Sequence, residues 1–172
     1  PAGGGSKSVT NTRIYNNCQY ICAMPLEQDI HQEKFQSEFQ KAAVNILFTG
    51  SWLYNINAAF LKEFDVTPEQ FNVLRILRGS HPNPMMLADI TCRMIDKNSN
   101  ATRLVEKLRV KGLVKREICK NNRRQVDISI TEKGMSLLTK IDKSSDAWQS
   151  ALKNLTKAEA HELNRLLDKL RG

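Results

Sequence analysis

Apolar side chains recur every three to four positions along most of this chain, a spacing that places them on one face of an α-helix. The longest such pattern runs from about residue 33 to residue 64. A second helix begins at Thr67, which is followed by proline at the first helical position and by Gln70, the partner expected in a capping box. A short third helix follows the loop at residues 80–84, whose prolines are incompatible with a helix.

The fourth helix has the clearest separation of apolar and polar sides. We expect it to begin near Asn98 or Ser99, which are both good N-cap residues. It should end before Gly112, because glycine suits the left-handed residue that follows a helix. Its apolar stripe consists of Ala101, Leu104, Val105 and Leu108. The opposite side carries polar and charged residues, including Arg103 and Glu106.

Alternation of apolar and polar residues then replaces the helical pattern. Two strands are predicted near residues 113–119 and 125–131, with the polar residues 120–124 at the tip of the hairpin that joins them. A helix starts after Thr131, and its expected buried positions are Met135, Leu138, Ile141, Trp148 and Leu152. The last helix follows a second capping box at residues 156–159, and its apolar positions are Leu163, Leu166, Leu167 and Leu170.

This order of elements predicts a mostly α (α+β) protein with a winged helix-turn-helix and a two-stranded wing. We expect a flexible leader at residues 1–23, which need not be native because Met24 is a candidate initiator. An N-terminal dimerisation helix would occupy residues 24–66, the DNA-binding domain residues 67–131, and C-terminal dimerisation helices residues 132–172. The long terminal helices exceed what the core needs, so we expect them to pack against a second copy of the chain.

Positive charge is concentrated in one segment. Ten lysine or arginine residues lie between positions 97 and 124, against only Glu106 and Glu117. This excess equals the net charge of +8 of the whole chain, so the remaining residues sum to zero. Exposure to solvent would explain any one of these charges. Because like charges repel, their accumulation indicates a surface that binds a polyanion.

The fourth helix is a candidate for reading DNA. An amphipathic helix with a cationic outer side fits the major groove, where Arg103 is able to pair bidentately with guanine. Lys107, Lys111 and Lys115 are better suited to neutralising phosphates, which positions a protein without conveying sequence. The candidate DNA-binding residues here are Lys97, Asn98, Ser99, Asn100, Thr102, Arg103 and Lys107. The predicted partner is double-stranded DNA.

Two phrases of the sequence carry a family resemblance. DITCRMIDKNSNATRLVEKLRVKGLVKR (residues 89–116) and NRRQVDISITEKG (residues 122–134) resemble the multiple-antibiotic-resistance regulator (MarR) family of bacterial transcription factors. The resemblance covers about residues 67–138. It implies a cytoplasmic homodimer with a recognition helix in each major groove and a wing arginine in the adjacent minor groove of a pseudo-palindromic operator. It further implies a repressor that a small molecule or an oxidant releases from DNA.

The wing departs from the family at one position. The family usually has an aspartate where this chain has Asn122, and that aspartate orients the arginine two residues later, here Arg124. Asn122 accepts a hydrogen bond through its amide oxygen but forms no charge-assisted pair. Asn122, Arg123 and Arg124 are therefore candidate DNA-binding residues, and the choice of minor-groove arginine stays open.

Effector and redox sites have weaker signals. Some relatives bind small aromatic acids, and Phe48, Trp52 and Phe71 are candidates for such a pocket, although aromatics at helical spacing also suit a plain core. Cys92 and Cys119 each adjoin a cation, which favours the reactive thiolate. Sensor cysteines in the family tend to lie on the first long helix, which has none here, so incidental thiols are the simpler interpretation.

Other classes of function have little support in the sequence. The three histidines are scattered without metal-type spacing, and neither a nucleophile elbow nor a phosphate loop is present. We therefore predict no enzyme, no metal and no cofactor. The absence of a run of about 18 apolar residues argues against a membrane span. A winged-helix adaptor that uses its basic face to bind an acidic protein and a cysteine-based redox sensor remain the alternatives.

Overall fold

The computed structural model describes residues 25–118, 126–144 and 154–172. In chain order its elements are α1 (Leu26–Asp29), α2 (Glu38–Lys62), α3 (Pro68–Ser80), α4 (Leu87–Arg93), α5 (Ala101–Val110), β1 (Val114–Ile118), β2 (Val126–Ile130), α6 (Glu132–Ser144) and α7 (Lys157–Arg171). This order confirms the predicted winged helix-turn-helix, with α4 and α5 as its two helices and β1 and β2 as the strands of the wing. The predicted leader, Trp148 and Leu152 lie outside the described residues. The chain divides into two compact units, Pro1–Thr49 and Gly50–Gly172.

The start of α2 corrects the prediction from periodicity. The helix begins at Glu38 rather than near residue 33, and the short α1 was not predicted. The Ser37 hydroxyl accepts the Gln40 N–H at 3.2 Å, and the Gln40 side chain accepts the Gln36 N–H at 2.7 Å. These hydrogen bonds cap the helix, so a local polar signal decides its start where the apolar pattern extends further.

Much of the apolar surface in the first unit is open to solvent. Leu26 is buried, but Phe39 and Leu47 are 88% and 74% exposed. Lys41 and Glu27 form an ion pair at 2.5 Å, and the hydrogen bond from Lys41 lowers the pKa of Glu27. The exposed apolar side chains of α2 are consistent with a helix that packs against another molecule.

The core of the second unit lies where α3, α4, α5, α6 and the sheet meet. The predicted capping box of α3 is present: the Thr67 hydroxyl accepts the Gln70 N–H at 3.3 Å, and the Gln70 side chain accepts the Thr67 N–H at 3.2 Å. The largest fully buried side chains are Leu61, Leu74, Leu77, Ile90, Leu108, Ile128, Leu138 and Ile141. The predicted apolar positions of α5, and those of α6 up to Ile141, all lie in this core or pack against it.

Helix α5 begins later than expected. Its N-cap is Asn100, whose side-chain oxygen accepts the Arg103 N–H at 2.9 Å, so the prediction of Asn98 or Ser99 as the cap is wrong. Asp96 provides the reason, because its carboxylate accepts the Asn98 N–H at 2.9 Å and the Ser99 hydroxyl at 2.6 Å. These bonds hold both residues in a turn before the helix.

The predicted end of α5 is confirmed. Gly112 has φ +71°, in the left-handed region. The Leu113 N–H donates to the Leu108 carbonyl at 2.9 Å and the Gly112 N–H to the Arg109 carbonyl at 2.8 Å, which completes a Schellman motif. This end leads directly into β1.

The wing strands pair antiparallel, with Val114 opposite Ile130 and Ile118 opposite Val126. Met85 adds an isolated bridge, since its N–H and carbonyl both bond to Ile128 at 2.9 Å. The bridge fixes the segment before α4 to the base of the wing.

The last helix also carries an uncovered apolar stripe. Its predicted capping box is present, with the Thr156 hydroxyl accepting the Glu159 N–H at 3.3 Å. Yet no residue of α7 is buried, and Leu163, Leu166 and Leu170 are 44%, 49% and 67% exposed. Among the residues that the structure describes, no helix is both long enough and apolar enough to cross a membrane.

Candidate DNA-binding site

The outward side of α5 is determined by what its other side buries. Ala101, Val105 and Leu108 are at most 6% exposed and face the core. Thr102 and Arg103 consequently lie on the exposed side, which is the side that the sequence assigned to DNA. The sequence therefore identified the outer face of this helix correctly.

Arg103 and Lys107 have side chains that are available to a ligand. Both are exposed, and neither side chain forms a hydrogen bond or an ion pair with any residue in 25–118, 126–144 or 154–172. Only the backbone N–H of Arg103 is used, by the Asn100 cap. An exposed guanidinium with all its side-chain donors free is suited to a base edge or a phosphate.

The turn before α5 is held by a carboxylate. Hydrogen bonds from the Ser99 hydroxyl and from the Asn98 N–H lower the pKa of Asp96. Ser99 thereby donates its hydroxyl hydrogen within the protein and keeps only acceptor capacity. The side-chain oxygen of Asn100 is used by the cap, so its NH2 group is the part left for DNA.

Lys97 has a local partner as well. Its ammonium group donates to the main-chain carbonyl of Cys92, in the last turn of α4. A cation at a helix C-terminus interacts favourably with the unpaired carbonyls there. Of the seven residues predicted in and before the recognition helix, Lys97, Ser99 and Asn100 thus also hold the local backbone.

Several of the cations counted in the sequence are paired with acids. Arg109 binds both oxygens of Glu106 at 2.7–3.2 Å, and this hydrogen bonding, followed by the charges of Arg109 and Arg116, lowers the pKa of Glu106. Lys111 pairs with Asp65 at 3.0 Å, and Lys115 lies 3.5 Å from Glu117. The charge count named Glu106 and Glu117 but not Asp65, which lies outside the counted segment.

Arg116 is a site residue that the sequence analysis did not single out. It lies on β1, is exposed, and lines a cleft of about 510 Å³ with Thr102 and Glu106 of α5. Only its contribution to the run of positive charge hinted at a role. The structure brings it next to the outer face of the recognition helix.

The tip of the wing lies outside the described residues, and with it the predicted contacts Asn122, Arg123 and Arg124 and the candidate thiol of Cys119. Cys92 is described, and it is an exposed free thiol. Within the described ranges, no cluster of three or more potential metal ligands occurs.

The three predicted pocket aromatics have different surroundings. Phe71 packs against the core with Phe60, and the Arg75 guanidinium lies 5.8 Å from the centre of its ring. Trp52 is half-buried and Phe48 is 37% exposed. A cleft of about 690 Å³ occurs elsewhere, between the second half of α2, the start of α3 and α5, and none of the three lines it.

This larger cleft combines apolar and polar walls. Ala58, Val66 and Val110 contribute apolar surface, and Lys62 and Lys107 contribute cations. Its volume lies within the range of about 300–1,000 Å³ usual for small-molecule sites. A ligand in this cleft would contact the recognition helix directly.

A tyrosine–carboxylate pair forms one side of the same cleft. The Tyr54 hydroxyl donates to Glu69 at 2.8 Å, which raises the pKa of Tyr54. Burial acts to raise the pKa of Glu69, but hydrogen bonds from Thr67, its own backbone N–H and Tyr54 outweigh it and lower that pKa. Glu69 therefore stays ionised and fixes the start of α3 to α2.

Comparison with known proteins agrees with this geometry. A model of the MarR family matches residues 66–126, which span α3 to the start of β2. The transcriptional regulator MgrA of Staphylococcus aureus is 30% identical over 117 residues, which are 68% of this chain and 77% of MgrA. The chain belongs to the MarR family. Because that family consists of transcription regulators, the MarR-family chain is a DNA-binding regulator and not an enzyme.

Solved structures of MarR-family proteins share the fold. A MarR transcription factor from Planctomyces limnophilus is 31% identical, with a TM-score of 0.62, over 78% of this chain and 98% of that one. The C80S mutant of Escherichia coli MarR, solved with operator DNA, has a TM-score of 0.69 at 24% identity, over 80% of this chain and 99% of that one. At 24% identity, the similarity to the Escherichia coli protein shows only that the two chains share a fold.

Proposed function

We propose that this MarR-family regulator is a repressor that binds a pseudo-palindromic operator as a homodimer. The observation that carries the proposal is the outer face of α5, where Arg103 and Lys107 are exposed and have no side-chain partner among the described residues. In this proposal Arg103 reads a base edge in the major groove and Lys107 neutralises a phosphate. The protein would act in the cytoplasm, where it meets the chromosome.

The homodimer is supported by the apolar surface that one chain leaves uncovered. Exposed side chains such as Phe39 and Leu47 on α2 and Leu166 and Leu170 on α7 would be buried in such an interface. A two-fold axis between two copies would present two recognition helices to half-sites about one helical turn of DNA apart, roughly 34–36 Å. Analytical ultracentrifugation of the free protein tests this part of the proposal.

The wing contact rests on the sequence. Either Arg123 or Arg124 would enter the minor groove, whose negative potential is greatest where A·T tracts narrow it. Alanine at each position, measured on operators with A·T-rich and G·C-rich flanks, would identify the arginine that loses the preference for A·T. Asn122→Asp tests whether a charge-assisted pair improves the contact.

The proposal is tested by selecting duplexes from a randomised library and locating the enriched sequence by footprinting. A palindromic consensus with two protected half-sites supports a dimeric, sequence-specific regulator. If the protein bound every duplex equally, sequence-specific repression would be wrong. If random duplex gave no salt-dependent binding at low salt, the adaptor alternative would replace DNA binding altogether.

Release by an effector is the second part of the proposal. The cleft of about 690 Å³ includes Lys107, so an aromatic acid bound there would compete with DNA for this cation. The predicted pocket residues Phe48, Trp52 and Phe71 are the alternative location, and Ala58→Phe would separate the two by filling the cleft. Benzoate is a suitable probe, because weaker duplex binding in its presence would indicate coupling.

An oxidant is the other candidate effector. The thiol of Cys92 is exposed, next to Arg93 and in the last turn of α4. Cys92→Ser and Cys119→Ser are compared for release of the selected duplex by hydrogen peroxide. Unchanged peroxide sensitivity in both variants would exclude these thiols as sensors.

A further inference from the structure

The C-terminal end of the recognition helix is fixed by two parts of the chain outside the helix-turn-helix. Towards α6, the Lys133 ammonium group donates to the Lys111 carbonyl at 2.8 Å, and the Thr131 hydroxyl donates to the Gly112 carbonyl at 2.8 Å. The Thr131 N–H also donates to the Leu113 carbonyl at 3.1 Å. Three consecutive carbonyls after α5 are therefore held by the first residues of the C-terminal region.

A second connection runs to the turn between α2 and α3. The Lys111 ammonium group lies 3.0 Å from a carboxylate oxygen of Asp65 and also donates to the main-chain carbonyl of that residue. Lys111 is the C-cap residue of α5, and the two residues are 46 positions apart in sequence. One side chain thus links the end of the recognition helix to the end of α2.

Asp65 occupies a position that would suit glycine better. Its φ is +55°, and it closes α2 in the manner of a Schellman motif: its N–H donates to the Lys62 carbonyl at 3.1 Å, and the Val66 N–H donates to the Leu61 carbonyl at 3.4 Å. Glycine adopts this left-handed conformation without the steric cost that any other residue has. The aspartate side chain adds a carboxylate that reaches Lys111.

We propose that Asp65 is a positioning residue for DNA binding, which acts through Lys111 to hold the recognition helix in a fixed place relative to the end of α2. The inference rests on the proposed function, in which α5 enters the major groove and α2 contributes to the dimer. If α2 sets the position of each subunit in the dimer, the Asp65–Lys111 pair helps to set the separation of the two recognition helices. Loss of the pair then weakens binding to duplexes with the preferred half-site spacing more than binding to duplexes with any other spacing.

A simpler role for Lys111 predicts the opposite sign. If Lys111 were a phosphate contact and Asp65 only an acid that competes for it, removing the acid would strengthen binding to every duplex. The positioning role predicts weaker specific binding from the same substitution, although the net positive charge increases. The sign of the change in affinity therefore separates the two roles.

The central variant is Asp65→Gly, which relieves the left-handed conformation and removes the carboxylate at the same time. Asp65→Asn is the milder change, because asparagine tolerates positive φ and keeps a neutral acceptor. Glu63→Gln is the matched control: this exposed acid of the same turn has no ion pair or hydrogen-bonded side-chain partner among the described residues. All three remove one negative charge at nearly the same place.

Affinity is measured on a duplex selected from a random library, on derivatives with the half-sites moved by one base pair, and on unselected duplex. For Asp65→Gly we expect about fivefold weaker binding to the selected duplex for each recognition helix, the limit for an exposed ion pair. We also expect that altered half-site spacing reduces the affinity of this variant less than that of the wild type, and that its affinity for unselected duplex does not fall. Asp65→Asn should lie in between, and Glu63→Gln should bind at least as tightly as the wild type.

A measurement without DNA keeps the test independent of the proposed function. Amide hydrogen exchange at residues 108–113 should be faster in Asp65→Gly than in Glu63→Gln, while the melting temperature does not fall. Lys111→Met should reproduce the faster exchange, and Lys111→Arg should restore part of the protection. Unchanged exchange in Asp65→Gly, or tighter binding of the selected duplex, would overturn the positioning role, whereas failure to select any duplex would count only against sequence-specific binding.

Discussion

The most demanding prediction concerns Gly134, at the point where α6 crosses the base of the wing. Helix α6 passes so close to the end of α5 that a Cβ atom at position 134 would lie 2.4 Å from the Leu113 carbonyl oxygen and 2.7 Å from a side-chain carbon of Ile130. The Thr131 hydroxyl accepts the Gly134 N–H at 3.1 Å, so the backbone here is also anchored. We therefore expect Gly134→Ala to destabilise the fold.

Three contributions determine the size of the effect. Overpacking a closed interior costs about 1–3 kcal/mol, and we expect the upper half of this range because the obstructing atom is a backbone oxygen. Moving that oxygen weakens its 3.1 Å hydrogen bond from the Thr131 N–H, a further loss of about 1 kcal/mol. Alanine favours a helix over glycine by about 1 kcal/mol, which offsets part of the loss. The net change is a loss of about 2–3 kcal/mol in the free energy of unfolding.

Chemical unfolding followed by circular dichroism measures this loss, at a fixed chain concentration because dimer formation would add to stability. For a chain of this length the loss corresponds to a melting temperature lower by about 4–12 °C. Gly79→Ala is the control, since a Cβ atom at this position of α3 meets nothing within 4 Å. It should leave stability equal or slightly higher. A Gly134→Ala protein as stable as the wild type would show that α6 does not approach Leu113 so closely.

Three further predictions concern DNA binding, assembly and pH. Arg103→Ala should reduce the free energy of binding to the selected duplex by about 1–3 kcal/mol and relax the preference at one base pair. Lys107→Gln should weaken binding to all duplexes alike and reduce the slope of the logarithm of the binding constant against that of salt concentration by about one. An unaltered binding motif for Arg103→Ala would show that Arg103 does not take part in base recognition. Leu166→Asp should shift sedimentation towards a monomer without loss of helical content, and an intact dimer would place the interface elsewhere. The folded-state pKa of Asp96 is lowered by Ser99 and Asn98, so its stabilising contribution is present above the usual carboxyl pKa and is lost as the pH falls through the lowered value. Amide hydrogen exchange at residues 96–100, relative to that of an unfolded peptide, should therefore become faster at acidic pH in the wild type. Asp96→Asn should abolish this acid-dependent increase. An identical pH dependence in the variant would show that Asp96 does not stabilise the turn.

Local chemistry explains where sequence analysis succeeded and where it failed within the helix-turn-helix. The capping box at Thr67 and the left-handed Gly112 involve groups only a few residues apart, so the interactions that stabilise them are recognisable in a short stretch of sequence. The same kind of signal was present at Asn100, but Asn98 and Ser99 are equally good caps in isolation. Asp96 decided between them by taking both into the preceding turn.

The candidate site shows the same division. The apolar stripe of α5 was enough to predict which side of the recognition helix is exposed, and hence the availability of Arg103 and Lys107. The pairing of Lys111 was not predictable, because its partner lies 46 positions away, and Arg116 meets α5 only through the fold. The cleft of about 690 Å³ was not predictable for the same reason: its walls come from α2, α3 and α5, and no periodicity within one helix describes it.

By itself, the sequence determined the order of elements from α2 onward, the wing, the exposed face of α5 and the family, because each depends on residues that are neighbours along the chain or within one helix. Only the tertiary structure decided that position 134 must be glycine. It also decided that the carboxylate of Asp65, a residue in the left-handed conformation, pairs with Lys111. Both follow from distances between elements, and these distances are set by packing in three dimensions. A pattern along one chain records which residues prefer to be buried, but not which of them meet.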